Sequence, residues 1–177
     1  MTTTNNNGHD SQLQSFFMTM LQEAYWSEQH LLNVLNTMMI SATSKELRQA
    51  FAMHQQQTEK HVQRLEEAFG VLGAEPQAVP SVGMQGLFDD GWQVIDETEA
   101  GSANRDVALI IAAQKVEHFE MACYGSLVTL ATTLGQKDIA KLLGKTLKEE
   151  KQTDAALTAI AESKINQKAR KEQTVAE

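Results

Sequence analysis

Hydrophobic residues recur every three or four positions over four long stretches of this chain, and that spacing predicts four amphipathic α-helices. The predicted helices cover residues 11–40, 44–72, 104–134 and 137–163. Ser11 and Ser44 stand where N-cap residues are expected, and Gly73 and Gly135 follow the second and third helices as natural stops. Good helix formers are abundant, whereas the chain has only 2 Pro. The pattern therefore favours an all-α fold.

The connections between the predicted helices differ in length, which indicates how the helices are arranged. Short turns near Thr43 and Gln136 join the first helix to the second and the third to the fourth, so each pair should form an antiparallel hairpin. Roughly 30 residues separate the hairpins, and residues 84–98 among them have an amphipathic pattern of their own. Long crossovers join helices in this way in ferritin-like folds. We predict an all-α, ferritin-like four-helix bundle with an additional short helix in the crossover.

Length and charge bound the domain organisation and the partners. The 177 residues suffice for one domain, which we place at residues 11–163. Residues 1–10 are expected to be a disordered tail, and residues 164–177 either a polar tail or an extension of the last helix. The formal net charge of −8 argues against nucleic-acid binding, because phosphate contacts require a basic surface.

Hydropathy and cysteine content predict a cytoplasmic protein. No apolar run is long enough to span a membrane, and the first residues lack the basic and apolar regions of a signal peptide, so no membrane association is expected. The single cysteine, Cys123, cannot form an internal disulfide, which suits a reducing compartment. On the inner stripe of the third helix, Cys123 is predicted to be a small buried hydrophobic residue.

Several polar residues fall where apolar ones are expected. Glu28, Glu120 and Glu150 lie on or beside the apolar stripes of the first, third and fourth helices, and His61 lies on that of the second. Each is roughly 14 to 18 residues from its own turn, which places all of them at one depth in the bundle. Carboxylates are rarely buried without a partner. No Lys or Arg falls on the predicted inner faces near this layer, so a bound cation is favoured. The alternative is a buried ionic or protonated network without metal.

The arrangement is similar to the ligand pattern of di-iron bundles, which is a Glu on two helices and Glu-x-x-His on the other two. The second helix has Thr58-x-x-His61, with Thr in place of Glu, and the fourth has Glu150-x-x-Thr153, with Thr in place of His. The sequence therefore keeps four of the six expected metal ligands, namely Glu28, His61, Glu120 and Glu150.

Other residues near this layer are weaker candidates for metal ligands. Asp154, Glu117 and Glu149 are candidates for a fifth ligand. Carboxylates with one imidazole suit iron or manganese, and zinc is not excluded. His54 lies on the same face as His61 but about 10 Å along the helix, which is too far to share one ion. We therefore predict that His54 is a core histidine with a hydrogen-bonding partner.

Aromatic residues add predictions about packing and assembly. Trp26 falls on the polar face of the first helix, and Phe88 and Trp92 lie in the crossover. Exposed aromatic residues mark contacts between subunits, so these three predict a homodimer contact. Tyr25 and Tyr124 are predicted to serve in ordinary packing, with a redox or supporting role near the site as the alternative.

Four segments of the chain resemble one known family, the YciE/YciF family of ferritin-like, rubrerythrin-related bacterial stress proteins. They are EAYWSEQHLL at residues 23–32, MQGL at 84–87, AAQKVEHFE at 112–120 followed by Tyr124 and Gly125, and KEEKQTD at 148–154. The similarity covers roughly residues 12–163. It implies a ferritin-like bundle that is often dimeric and linked to stress responses. The chain departs from the family at residues 55–57, where three glutamines replace residues that are commonly acidic.

Two functions are consistent with these observations. The first is a metal-binding stress protein that handles iron or peroxide at a carboxylate-rich site in the core, with di-metal oxidoreductase activity and a small-molecule oxidant as substrate. The second is a non-catalytic structural or adaptor bundle with a vestigial metal site. The Glu missing at Thr58 and the His missing at Thr153 favour the second.

Overall fold

The computed structural model describes residues 11–172, most of which are helical. The elements in chain order are α1 (Gln12–Ser41), α2 (Lys45–Val71), α3 (Val82–Glu97), α4 (Ala103–Thr133), α5 (Lys137–Ile160), a π-helical turn (Ala161–Ile165) and α6 (Asn166–Ala169). No strand occurs in this range. The tail predicted at residues 1–10 lies outside the described residues, as does the end of the chain from residue 173.

The predicted fold class is confirmed. Helices α1 and α2 pack as one hairpin, α4 and α5 pack as the other, and α3 lies in the crossover against α4 and α1. This is an all-α, ferritin-like four-helix bundle with an additional crossover helix. The last helical segment runs further than the predicted end at residue 163, because the π-helical turn leads directly into α6 and buries Ile165 against the core.

The helix boundaries follow from capping. Ser11 and Gln14 form a reciprocal capping box, in which the Ser11 hydroxyl accepts from the Gln14 N–H and the Gln14 side chain accepts from the Ser11 N–H. The Ser44 hydroxyl accepts from the Leu47 N–H at the start of α2. Gly73 and Gly135 have φ of 68° and 75°, the left-handed conformation that ends a helix at little cost for glycine. The predicted caps and stops are confirmed.

The apolar core is divided into two clusters by a polar layer. One cluster lies toward the α1–α2 turn and includes Leu35, Phe51 and Leu109. The other lies toward the α4–α5 turn and includes Leu21, Leu65 and Leu127. Along each of the four long helices, buried polar residues lie between the residues of these clusters; they are Glu28, His54, Thr58, His61, Glu117, Glu120, Thr146 and Glu150. The polar layer is therefore sealed by hydrocarbon at both ends.

The predicted exposure of Trp26 is wrong. Its side chain is only 9% exposed, because α3 covers that face of α1. The indole stacks on His30 at a ring-centroid distance of 4.1 Å and packs 6.2 Å from the ring of Phe88, which is also buried. Trp92 is 37% exposed. Two of the three aromatic residues predicted to mark a dimer contact therefore contribute to packing within one chain.

Asp106 connects the two hairpins. This residue lies in the first turn of α4 and is almost fully buried. Its two carboxylate oxygens accept from the backbone N–H groups of Thr43 and Ser44, at 2.7 and 2.8 Å. These N–H groups belong to the turn before α2 and to its N-cap, and neither has a partner within that helix. One side chain thus fixes the start of α2 against the start of α4.

Within residues 11–172, no helix combines the length and the apolar character that a bilayer-spanning segment requires.

We predict that Asp106→Ala lowers the free energy of unfolding by about 2–4 kcal/mol, because two buried N–H groups lose charged acceptors. Chemical denaturation followed by circular dichroism measures this change. Asp96→Ala, at an exposed position of α3, is the matched control and should change stability by no more than about 0.5 kcal/mol. Equal effects of the two substitutions would contradict the role given to Asp106.

Candidate metal centre

Six ionisable side chains from four helices meet in the polar layer. They are Glu28 from α1, His54 and His61 from α2, Glu117 and Glu120 from α4, and Glu150 from α5. Each is at most 2% exposed. The four ligands predicted from sequence therefore converge as the helical spacing implied, and two further residues join them.

The six side chains form two groups that share Glu150. The first contains Glu28, His61 and Glu150, and the second contains His54, Glu117, Glu120 and Glu150. Within each group, one potential ligand atom from every residue lies within 4.8 Å of all the others. This is a spacing at which one cation could contact the whole group.

Glu150 lies between the two histidines. One of its oxygens, Oε1, is 2.9 Å from Nδ1 of His61, which is also 3.3 Å from the Glu28 carboxylate. The other, Oε2, is 3.8 Å from Nε2 of His54, which is 3.1 Å from the Glu117 carboxylate. Glu150 is thus placed to bridge the two groups.

Nine buried side-chain atoms in this layer have no hydrogen-bond partner among the described residues. They are Oε2 of Glu28, Nε2 of His54, Oγ1 of Thr58, Nδ1 of His61, Oε2 of Glu117, and both carboxylate oxygens of Glu120 and of Glu150. Some lie within ion-pair distance of each other, but without the alignment of a hydrogen bond. Each unsatisfied buried group costs roughly 1–3 kcal/mol. The presence of nine unsatisfied atoms in one layer fits a site whose atoms contact a bound cation.

His61 is oriented by residues outside the layer. Its Nε2 is 2.9 Å from Oε2 of Glu149, a carboxylate that can only accept, so Nε2 carries a proton and Nδ1 is the ring nitrogen that faces the first group. Arg64 forms a bidentate pair with the same carboxylate, at 2.6 and 3.0 Å. Burial opposes ionisation of Glu149, but the hydrogen bonds from Arg64 and His61 outweigh it and lower the pKa of the carboxyl. Carboxylates commonly orient metal-binding histidines in this way.

His54 takes the place that sequence reasoning assigned to a missing histidine. Its Nδ1 lies 3.3 Å from Oγ1 of Thr153 and 3.5 Å from Oε1 of Gln57, and its Nε2 faces Glu117. The small side chain of Thr153, on α5, contacts the imidazole that enters from α2. The predicted polar partner for His54 is present, but the residue also belongs to the second group, which the prediction did not include.

The donor set of the layer has the composition of a complete di-iron pattern, four carboxylates and two imidazoles. Four of six ligands were expected from sequence. The structure adds Glu117, a candidate for the fifth ligand, and His54. The distribution differs from the usual one, because α2 carries both histidines and α4 carries two carboxylates. The ring centroids of His54 and His61 are 6.3 Å apart, closer than their separation along the helix suggests.

The other candidates for a fifth ligand lie outside both groups. Asp154 is 22% exposed at the rim, where it accepts from Gln114 and lies 3.3 Å from Nε2 of His118. Glu149 contacts His61 from outside the layer. Arg64 lies partly buried at the edge of this layer, where its guanidinium donates to Glu149 and to Thr146 and contacts none of the inner carboxylates.

The buried carboxylates and histidines shift one another's protonation. Burial, together with the charges of Glu28 and Glu150, raises the pKa of Glu120 well above its ordinary value. Burial likewise raises the pKa of Glu150 to about 7. For the histidines burial acts in the opposite direction but is outweighed, so that Glu117 raises the pKa of His54 to about 9 and Glu28 raises that of His61 to about 11. The layer retains protons that isolated side chains would release.

Tyr124 and Cys123 lie beside the layer on α4. The Tyr124 hydroxyl donates to Oε1 of Glu28 at 2.5 Å, which matches the alternative of a supporting role near the site. Tyr25 instead donates to Glu66 outside the layer. Cys123 is only half-buried, not buried as predicted. Burial and the charge of Glu23 raise the pKa of its thiol to about 11, so the thiol is neutral near pH 7.

Fold and site together define a ferritin-like bundle with a buried cluster of carboxylates and histidines that could hold metal. The family described as a domain of unknown function, DUF892, matches residues 12–170, and the chain belongs to it. Protein YciF of Escherichia coli K12 is 38% identical over 158 residues, covering 89% of this chain and 95% of that protein. The predicted family is confirmed.

Solved structures agree with this assignment. The crystal structure of the E. coli stress protein YciF matches with a TM-score of 0.84 and 36% identity, over 90% of this chain and 100% of that one. YcfI of Rhodopseudomonas palustris, whose suggested role is structural, matches with a TM-score of 0.81 and 29% identity, over 89% of this chain and 98% of that one. A protein of Xanthomonas campestris, at 17% identity and a TM-score of 0.68, shares the fold.

We predict that chelator-treated protein loses stability as the pH rises from about 6.5 to 9, since the raised pKa of His54 means that the folded state binds more protons than the unfolded state in this window. The raised pKa of His61 acts in the same direction. Melting temperatures across this range measure the slope. His54→Gln should flatten it, whereas His118→Gln, whose imidazole is 65% exposed, should not. A melting temperature that rises with pH would contradict the prediction.

Proposed function

We propose that the polar layer binds two divalent metal ions, iron or manganese, and that the protein handles iron or peroxide as a metal-binding member of its family. The observation that carries this proposal is the set of buried, unpaired atoms on four carboxylates and two histidines, arranged in two groups that share Glu150. Oxygen and imidazole ligands suit iron and manganese, and zinc also accepts them.

Charge balance supports two ions instead of one. The layer holds four carboxylates, and two divalent cations would balance their four negative charges while both histidines stay neutral. A cation bound at Nδ1 of His61 would displace the proton that the raised pKa keeps there, while Nε2 would keep the proton that it donates to Glu149. Without cations, the layer must keep protons on groups that are far from water, and such groups are strongly disfavoured in charged form.

The residues have separate roles in this proposal. Glu28 and His61 would hold one ion, and His54, Glu117 and Glu120 the other, with Glu150 between them. Tyr124 holds the Glu28 carboxylate, and Arg64 holds Glu149, which in turn orients His61.

The bound metal would supply the electrons that reduce a peroxide, or the site at which ferrous iron is oxidised. The apolar clusters at both ends of the layer exclude bulk water and leave the sides of the bundle as the route for a small reactant.

A structural or adaptor role is the second candidate. YcfI of R. palustris, at 29% identity, has a suggested structural role, and Thr58 stands where the di-iron pattern has a carboxylate. In this case the layer would persist as a protonated network without metal. Its purpose would be to fix the packing of the four helices.

Metal content separates the two candidates. We predict about two metal ions per chain for protein purified without chelators. Glu150→Gln should lose both ions, because Glu150 belongs to both groups, and Glu120→Gln should lose mainly the ion of the second group. Asp154→Asn, which changes a carboxylate outside both groups, should keep both. Elemental analysis by mass spectrometry, with circular dichroism to verify folding, gives these numbers.

Substoichiometric metal that neither glutamate substitution changes would favour the structural candidate. If metal is bound, consumption of hydrogen peroxide and oxidation of ferrous iron by the loaded wild-type protein distinguish a reactive centre from passive binding. We expect hydrogen peroxide to oxidise the bound ferrous ions of wild-type protein and of Asp154→Asn, with one peroxide reduced to water by the two electrons of the two ions, and we expect this reaction to be lost in Glu150→Gln.

A further inference from the structure

A small cavity approaches the polar layer from the side of the bundle. It lies between α1, α4 and the start of the crossover helix, and its volume is about 30 Å³. That is enough for one or two water-sized molecules. Apolar side chains form much of its wall, namely Met20, Ala24, Met84 and Phe119. Met20 and Phe119 are only partly buried, so this end of the cavity lies close to solvent.

Glu120 connects this cavity to the candidate metal centre. It lines the cavity and also belongs to the second ligand group. Both of its carboxylate oxygens are buried and have no hydrogen-bond partner among the described residues. A molecule in the cavity would therefore lie beside the carboxylate that we assign to the second metal ion.

We propose that this cavity is the port through which a small uncharged peroxide, of the size of hydrogen peroxide, reaches the centre at Glu120. The inference rests on the proposed function and adds a place of entry and a substrate class to it. The size, the charge, the apolar wall and the hydrogen-bonding groups of the cavity select this class.

Size and charge restrict the occupant. A volume of about 30 Å³ excludes alkyl peroxides with bulky substituents. Glu23 lines the cavity, and the protein has a formal net charge of −8, so small anions are repelled. The apolar wall also disfavours ions, because an ion that enters must lose its hydration.

Hydrogen bonding favours a peroxide over dioxygen. The hydroxyl proton of Ser27 is donated to the Glu23 carbonyl at 2.8 Å, and that of Tyr124 is donated to Glu28. Both residues line the cavity, and their oxygens retain only acceptor capacity. Hydrogen peroxide has two O–H groups to donate, whereas dioxygen has none.

Cys123 offers a competing target for peroxide in the same cavity. The thiolate is the reactive form of cysteine, and the raised pKa of Cys123, about 11, keeps its thiol neutral. Glu120, which lines the same cavity and belongs to the second ligand group, is therefore the destination that we assign to the peroxide. The thiol is also a reporter of access to the cavity that requires no metal.

Filling the cavity tests the port. We expect Ala24→Leu, which adds three carbons to its wall, to leave the metal content unchanged and to slow the reaction of the loaded protein with hydrogen peroxide by about tenfold or more. Ala156→Leu, at an exposed position of α5, is the matched control and should react at the wild-type rate. Met20→Ala should have the opposite effect, widening the mouth and increasing the rate with tert-butyl hydroperoxide.

A second readout uses chelator-treated protein, in which Cys123 is modified by methyl methanethiosulfonate, a small neutral thiol reagent. Ala24→Leu should slow the modification, Met20→Ala should accelerate it, and Ala156→Leu should not change it. Wild-type protein without bound metal would overturn both the proposed function and the port. Normal metal content, with peroxide rates that neither Ala24→Leu nor Met20→Ala alters, would overturn the port alone.

Discussion

Four carboxylates buried at one depth of a helical bundle impose a constraint on everything around them. Their charge must be balanced by protons or by cations, and no lysine or arginine side chain among the described residues contacts them. The two buried histidines supply part of the balance, and the raised pKa values of His54, His61 and Glu150 show how much proton retention the layer requires without metal. Apolar clusters above and below the layer exclude bulk water, which would otherwise solvate the charges.

Much of the fold could be predicted because it depends on local rules. The apolar period, the serine caps and the glycine stops define the four long helices, and the lengths of the connections define their pairing. The same period and a count of residues from each turn bring Glu28, His61, Glu120 and Glu150 to one layer. These residues lie on or beside the apolar stripes and at matching depths, so small errors in helix rotation or in helix length do not change the prediction.

The rest of the site depends on side-chain directions and on an element outside the four helices. His54 lies seven residues from His61, but the two ring centroids are 6.3 Å apart and a nitrogen of each ring lies near a carboxylate oxygen of Glu150. In the structure, the small side chain of Thr153 contacts the imidazole of His54. From the sequence alone, a threonine at this position indicates only that a ligand is missing. Trp26 was predicted to be exposed because it lies on the polar face of α1, but the crossover helix α3 covers that face.

We propose that the layer binds two metal ions, one in each of the two groups that share Glu150. Anomalous X-ray diffraction from crystals loaded anaerobically with ferrous iron tests it most directly. The account predicts two anomalous peaks, one contacted by Glu28, His61 and Glu150 and the other by His54, Glu117, Glu120 and Glu150. A layer without an anomalous peak, in which ordered water or direct hydrogen bonds satisfy the carboxylates and imidazoles, would contradict it.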